Sequence, residues 1–225
     1  MMEHPSPNFG ARRGDAQPDM IVLHYTAMQT TEAALERLCD AQAEVSAHYL
    51  ICERGRVWRL VDEAARAWHA GAGQWGDVTD VNSRSIGIEL ANPGTHPFPD
   101  SQMRALEGLM QGIMQRWSIA PERVIAHSDM APTRKSDPGP RFDWRRLARQ
   151  GLSVWPQPGA PADDFLGAAR QFGYALPPDG DEATLLGAFR QRFRPWASGA
   201  LDDTDRALIA DLAARFPVDR APQDA

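Results

Sequence analysis

The sequence predicts an α/β protein, a mixed central sheet flanked by helices, followed by a small three-helix domain. Three observations predict it. Over residues 1–155 short apolar runs alternate with amphipathic stretches, the order expected when strands and helices pack in layers. Residues 101–117 carry Met103, Leu106, Leu109, Met110, Ile113, Met114 and Trp117 at three-four spacing, which is one face of a long helix. The run WPQPGAPA at 155–162 is rich in Pro and Gly, and three amphipathic segments follow it, at 164–173, 182–193 and 204–216. The expected organisation is therefore an α/β domain at 1–155, a linker at 156–162, a helical domain at 163–217 and a tail at 218–225.

Strands are expected at 20–24, 48–52, 57–61, 85–91 and 123–126, each a short run of mostly apolar or alternating residues. The turn Glu53-Arg54-Gly55-Arg56 suggests a hairpin between the second and third. A helix at 31–39 opens on a threonine cap, and the long helix at 101–117 opens on Asp100 or Ser101. The methionines of that helix belong to its core face and need no functional explanation. The segment AHSDMAPTRKSDPG at 126–139 cannot be a regular helix: Pro132, Pro138 and Pro140 each remove a backbone donor, and Pro138 pushes Asp137 toward extended geometry. In an extended stretch side chains two apart share a face, so Lys135 and Asp137 would point at one spot.

The apolar run 20–23 ends in His24, at the sheet edge where α/β proteins place site residues. His24, His127 and Asp137 make two imidazoles and one carboxylate, the donor composition of a catalytic zinc site with an open position. Cys39 and Cys52 are not a CxxC pair, which argues against a structural site. Spacing alone equally allows a bland reading: His24 caps a strand, His127 is a satisfied core histidine and Asp137 is a turn residue.

VLHYTA around His24, VSAHYLI at 45–51, the pair Trp68-His69, NSRSIGIEL at 82–90 and the segment at 126–139 together resemble the zinc-dependent N-acetylmuramoyl-L-alanine amidases of the AmpD/AmiD type, over roughly residues 8–156. The resemblance implies one catalytic zinc held by His24, His127 and Asp137, with Glu89 and Lys135 as catalytic residues. It also implies hydrolysis of the amide between N-acetylmuramic (or 1,6-anhydro-N-acetylmuramic) acid and L-alanine of the peptidoglycan stem peptide. Related peptidoglycan-recognition proteins and phage amidases often have cysteine as third ligand and tyrosine before the histidine of the second motif; here those positions hold Asp137 and Ala47. A non-catalytic recognition protein is the alternative, but it would be expected to lack one of these groups. The strings FLGAARQFGY, LLGAFRQRFRP and GALDDTDRALIADLAARF resemble, more loosely, the peptidoglycan-binding helical domain appended to AmiD-type amidases.

The residues themselves support the roles. Alternation in SIGIEL puts Ile86, Ile88 and Leu90 on one face and Gly87 with Glu89 on the other, so Glu89 can face a cleft as proton carrier. Lys135 is suited to a developing negative charge. His48, His69, Asn82 and Arg84 are candidates for substrate contacts, each with a plain structural role as the alternative; His48 could also be a fourth ligand, but on an alternating strand beside Tyr49 and Leu50 the structural or supporting role is favoured, and His4 and His96 lie in a polar tail and a Pro-rich loop.

A net charge of −6 over 225 residues argues against general nucleic-acid binding, and no stretch approaches the ~20 apolar residues of a membrane span. The partner expected is peptidoglycan or a muropeptide, met by a monomer. Residues 1–19 carry no apolar core of a secretory leader, so the expected compartment is the cytoplasm; the helical appendage points instead to the periplasm or cell envelope.

Overall fold

The computed structural model describes residues 1–218. In chain order the elements are β1 (Met2–Glu3), β2 (Phe9–Ala11), β3 (Met20–Tyr25), α1 (Thr31–Cys39), β4 (Tyr49–Ile51), β5 (Val57–Arg59), β6 (Ala65–Ala67), α2 (Val81–Arg84), β7 (Ser85–Leu90), α3 (Asp100–Trp117), β8 (Val124–Ala126), α4 (His127–Met130), α5 (Trp144–Arg149), α6 (Phe165–Phe172), α7 (Glu182–Phe193) and α8 (Asp203–Arg215). The tail expected at 218–225 lies, from residue 219 on, outside the described residues.

Six strands form one mixed sheet in the order β1-β5-β4-β7-β3-β8, and β2 pairs with β6 in a separate two-stranded ribbon. The core of the large sheet is parallel: β3 lies between β7 and β8, and β7 between β3 and β4. The β4–β5 hairpin is antiparallel, as its turn predicts. Gly55 in that turn has φ 76°, and a Cβ there would stand 2.5 Å from the Ser101 carbonyl oxygen, so the turn seats directly on the start of α3. This contact revises the expected helix start. Pro99 is the N-cap and gives no side-chain cap; the Ser101 hydroxyl donates to the Glu53 carbonyl, while Asp100 pairs with Arg104 and Arg146. The N-terminal 11 residues, read as a polar tail, supply β1 and β2, and Asn8 is buried with its amide donating to the carbonyls of Asp40 and Val45.

The sheet's two faces carry different things. Ile21, Leu23, Ile86, Ile88, Leu90, Val124 and Ala126 pack against Met103, Leu106, Leu109, Met110 and Ile113 of α3 and against α5. On the opposite face Met20, Val22 and Ile125 pack against Phe165, Phe172, Phe189 and Phe193 of the C-terminal helices, and Leu50 packs against Ala34 and Leu38 of α1. His24 and Glu89 occupy the same face, between these two apolar clusters. Helices α6, α7 and α8 each open on an aspartate cap, Asp164, Asp181 and Asp202, accepting from the backbone three residues on. They share one buried cluster with the sheet.

One buried ion pair crosses from the C-terminal helices to the sheet. Arg192 of α7 donates to Asp129 (2.6 Å) and to the Val124 carbonyl (2.9 Å), and its guanidinium lies 4.4 Å from the Trp144 ring centroid. Asp129 also accepts from the Ala126 amide and the Tyr174 hydroxyl. Among the described residues no helix is long and apolar enough to cross a membrane.

Candidate metal centre

Three neighbouring parallel strands end at one place, and each delivers a polar group there. His24 is the fifth residue of β3; Glu89 of β7 lies beside it in register; His127 follows the last residue of β8. Asp137 arrives from the loop after α4, which is tied back by the Ser128 amide donating to the Asp137 carbonyl. Residues 127–130 make one helical turn before Pro132, which the proline-rich reading did not anticipate, and the chain after it runs in turns where an extended stretch was expected. The consequence of the expectation nonetheless stands: Lys135 and Asp137 line the same cleft, of about 390 Å³, together with His24, His69, Glu89 and His127.

His24 Nδ1 stands 2.9 Å from His127 Nδ1 and 2.9 Å from Asp137 Oδ2, and His127 Nδ1 stands 3.0 Å from that same oxygen. All three residues are buried. The outer nitrogens fix the tautomers. His127 Nε2 lies 2.9 Å from the Ala70 carbonyl, which can only accept, so Nε2 carries the proton and Nδ1 a lone pair. His24 Nε2 lies 3.0 Å from His69 Nδ1, and His69 Nε2 lies 3.2 Å from the Ser85 hydroxyl. That hydroxyl spends its one proton on the Val81 carbonyl at 2.6 Å, so His69 Nε2 must donate to it. His69 Nδ1 then accepts from His24 Nε2, and His24 Nδ1 is also a lone pair. The imidazole of His69 lies on Gly87, where a Cβ would stand 2.4 Å from the ring; only glycine leaves room for it.

Burial sets the charge states. Desolvation lowers the His24 pKa to about 4, with repulsion from His127 adding to it. Burial, then the neighbouring His24 and His48, hold His69 well below the ordinary histidine range. For Asp137 burial acts upward, but the adjoining imidazoles of His127 and His24 outweigh it and hold the carboxyl below the usual range. Glu89 goes the other way: burial, then repulsion from Asp137, push it up to about 8 against the pull of Lys135. Its Oε2 is buried without a hydrogen-bond partner.

The remaining candidates divide. His69 lines the cleft, but the structure does not bring His48, Asn82 or Arg84 into it, which corrects their reading as substrate contacts. His48 is fully buried; its Nδ1 accepts from the Gly87 amide and its Nε2 faces the Ala65 carbonyl. Burial lowers its pKa to about 4. Asn82 is buried, its Oδ1 accepting from the amides of His69 and Ala70. Arg84 sits at the far end of β7 and pairs with Asp19. Arg37 of α1, which lines the cleft, was missed; its place on a helix's polar face gives no signal in the sequence.

The family model described as Amidase_2, N-acetylmuramoyl-L-alanine amidase, matches residues 14–140. N-acetylmuramoyl-L-alanine amidase AmiD of Escherichia coli (strain K12) is 36% identical over 225 residues, covering 85% of this chain and 80% of that protein. The 1,6-anhydro-N-acetylmuramyl-L-alanine amidase AmpD of Enterobacter cloacae is 34% identical over 160 residues, 64% of this chain and 86% of that one. Among solved structures, E. coli AmiD in complex with anhydro-N-acetylmuramic acid-L-Ala-D-gamma-Glu-L-Lys superposes with a TM-score of 0.82 at 34% identity, over 94% of this chain and 99% of that one. AmpDh3 from Pseudomonas aeruginosa, in complex with anhydromuramic pentapeptide, gives 0.81 at 34% identity, over 95% and 96%. The short relative matches 64% of the chain, whereas the superposition on AmiD covers 94% of it and so extends into the C-terminal helices; with the family model over residues 14–140, the chain belongs to the N-acetylmuramoyl-L-alanine amidase family.

Proposed function

We propose that this protein is a zinc-dependent amidase that cleaves the bond between the lactyl group of N-acetylmuramic, or 1,6-anhydro-N-acetylmuramic, acid and L-alanine of the stem peptide. The observation that carries the proposal is the convergence of His24 Nδ1, His127 Nδ1 and Asp137 Oδ2, within 4.8 Å of one another. Two lone pairs and an ionised carboxylate, with every proton directed outward, repel one another unless a cation lies between them. Two imidazoles and one carboxylate suit Zn²⁺ and leave a coordination position open. Bound there, zinc lowers the pKa of a water to about 7 and polarises a carbonyl as a Lewis acid.

The chain's own residues would do the rest. Glu89 has a buried carboxyl oxygen with no partner, in register with His24; raised to about 8 in the metal-free cleft, the carboxyl would ionise beside a bound cation and take the proton of the attacking water. As the amide C–N bond breaks, Glu89 returns that proton to the leaving nitrogen, so the products are a lactyl carboxylic acid and a free α-amine on L-alanine. Lys135 lines the same cleft, and its ammonium would stabilise the oxygen that gains negative charge. A non-catalytic recognition role is disfavoured because ligand set, base and cation are all present. Mass spectrometry of the products from a purified anhydromuropeptide and from intact sacculi tests the proposal: release of free stem peptide is expected, and unchanged substrate with zinc-loaded protein would exclude amidase activity. The two substrates also report whether soluble fragments or polymeric wall are preferred.

A further inference from the structure

The motifs NSRS and WHA meet directly beneath the ligands, and neither contributes a ligand. Asn82 Oδ1 accepts from the backbone amides of both His69 (3.0 Å) and Ala70 (2.9 Å). Those two residues hold the two histidines of the metal set: His69 through its Nδ1 toward His24, Ala70 through its carbonyl toward His127. Ser85, three residues after Asn82, fixes the His69 tautomer by donating to Val81 and accepting from His69. The turn is itself held from behind. Arg12 donates to the carbonyls of Ser83 (2.9 Å) and Ser85 (3.1 Å) and to that of Glu63 (2.7 Å); burial lowers its pKa to about 10, which leaves it charged at neutral pH.

We infer that Asn82 and Ser85 are positioning residues that set the proton positions of both ligand histidines, Asn82 by placing the His69–Ala70 backbone and Ser85 by dictating which nitrogen of His69 donates. The inference rests on the metal-centre reading above. The buried Asn82 carbonyl serves two donors at once, so one side chain governs both imidazoles. Without Ser85, His69 is free to protonate Nδ1, and His24 then loses the acceptor that keeps its own proton on Nε2. Outer hydrogen-bond partners of ligand histidines typically change metal affinity by 10–100-fold.

The test is zinc affinity, measured by competition with a chromophoric chelator on folded full-length protein, with the visible spectrum of the Co²⁺ form as a second readout. Asn82→Leu keeps the volume and removes the acceptor, and should weaken zinc by about 10–100-fold. Asn82→Asp retains an oxygen for both amides and should stay close to the parent. Ser85→Ala should weaken zinc by about 10-fold and alter the Co²⁺ spectrum. If Asn82→Leu does not fold, Ser85→Ala and His69→Leu against His69→Gln decide, since Gln offers His24 an acceptor and Leu does not. Parent-like zinc affinity in folded Ser85→Ala and His69→Leu would overturn the inference. A parent protein that takes up no zinc would instead overturn the metal-centre reading on which it rests.

Discussion

The two faces of the central sheet are built from alternate residues of the same strands, yet they obey different rules. Toward α3, β3 and β7 present Ile21, Leu23, Ile86, Ile88 and Leu90, all apolar and all answered by the helix's three-four stripe. On the other side the same strands present Met20, Val22, His24, Ser85, Gly87 and Glu89, and the titratable groups, His24 and Glu89, stand toward the carboxyl end of each strand. The first face is a packing surface in which any residue of the right volume serves. On the second, His24 and Ser85 have specified partners while Glu89 Oε2 is left without one, and the apolar half is covered by helices from the far end of the chain. The difference teaches that stability and chemistry are separable here by residue parity.

That separation can be broken most severely from the C-terminal side. Ending the chain near Gly159 would uncover Met20, Val22 and Ile125 and leave the buried Asp129 without Arg192, and breaking a buried pair on one side costs about 3–5 kcal/mol before any lost burial is added. The expected result is little folded, soluble protein; a truncation that unfolds with the parent's thermal midpoint would show the helices to be independent after all. Within the cleft, Asp137→Ala should abolish stoichiometric zinc, read by metal analysis, and activity with it. Glu89→Gln keeps shape and zinc but should lower kcat by about 10²–10⁴, while Lys135→Met should cost about 10²–10³, both by steady-state turnover of a purified muropeptide.

On the α3 face the expectation inverts. Ile113→Ala should lower unfolding free energy by about 2–5 kcal/mol in denaturant titration, with kcat of the folded fraction unchanged. The smallest effect expected is on pH dependence in chelator-treated protein. His24 and His48 have folded pKa values near 4, below the ordinary 6.5, so the folded state binds fewer protons there and stability should be lost as pH falls from about 6.5 to 4. Glu89, raised from 4.5 to about 8, has the opposite sign: its contribution is lost as pH rises through that window. The thermal midpoint should therefore peak near pH 6.5, and Glu89→Gln should flatten the alkaline limb alone.

What the sequence disclosed follows the same division. The α3 stripe, the five principal strands and the β4–β5 hairpin were legible because periodicity encodes burial locally. His24, His127 and Asp137 were legible as a donor set, and family resemblance singled them out from other histidines. Asn82 and Arg84 were misplaced because a polar residue near a functional strand looks the same whether it faces substrate or a backbone amide; only the fold shows that Asn82 turns toward His69 and Ala70. For His48 strand alternation favoured a supporting role over a ligand, and its full burial against the Gly87 amide fits that. Nothing local marks Arg192 as the partner of Asp129, 63 residues earlier. The early strands β1 and β2 were unreadable for want of length.

His24 and His127 are 103 residues apart in sequence, and they meet only because β3 and β8 pair. A chain emerging from the ribosome carries the first histidine long before the second, and no fragment ending before Asp137 holds the full donor set. Closing so long a loop is entropically costly and belongs to the slow, late contacts of folding. On the proposed reading metal capture would act as a checkpoint on synthesis: a nascent or misfolded polypeptide would lack the donor set, and amide cleavage would begin only after the whole topology has closed.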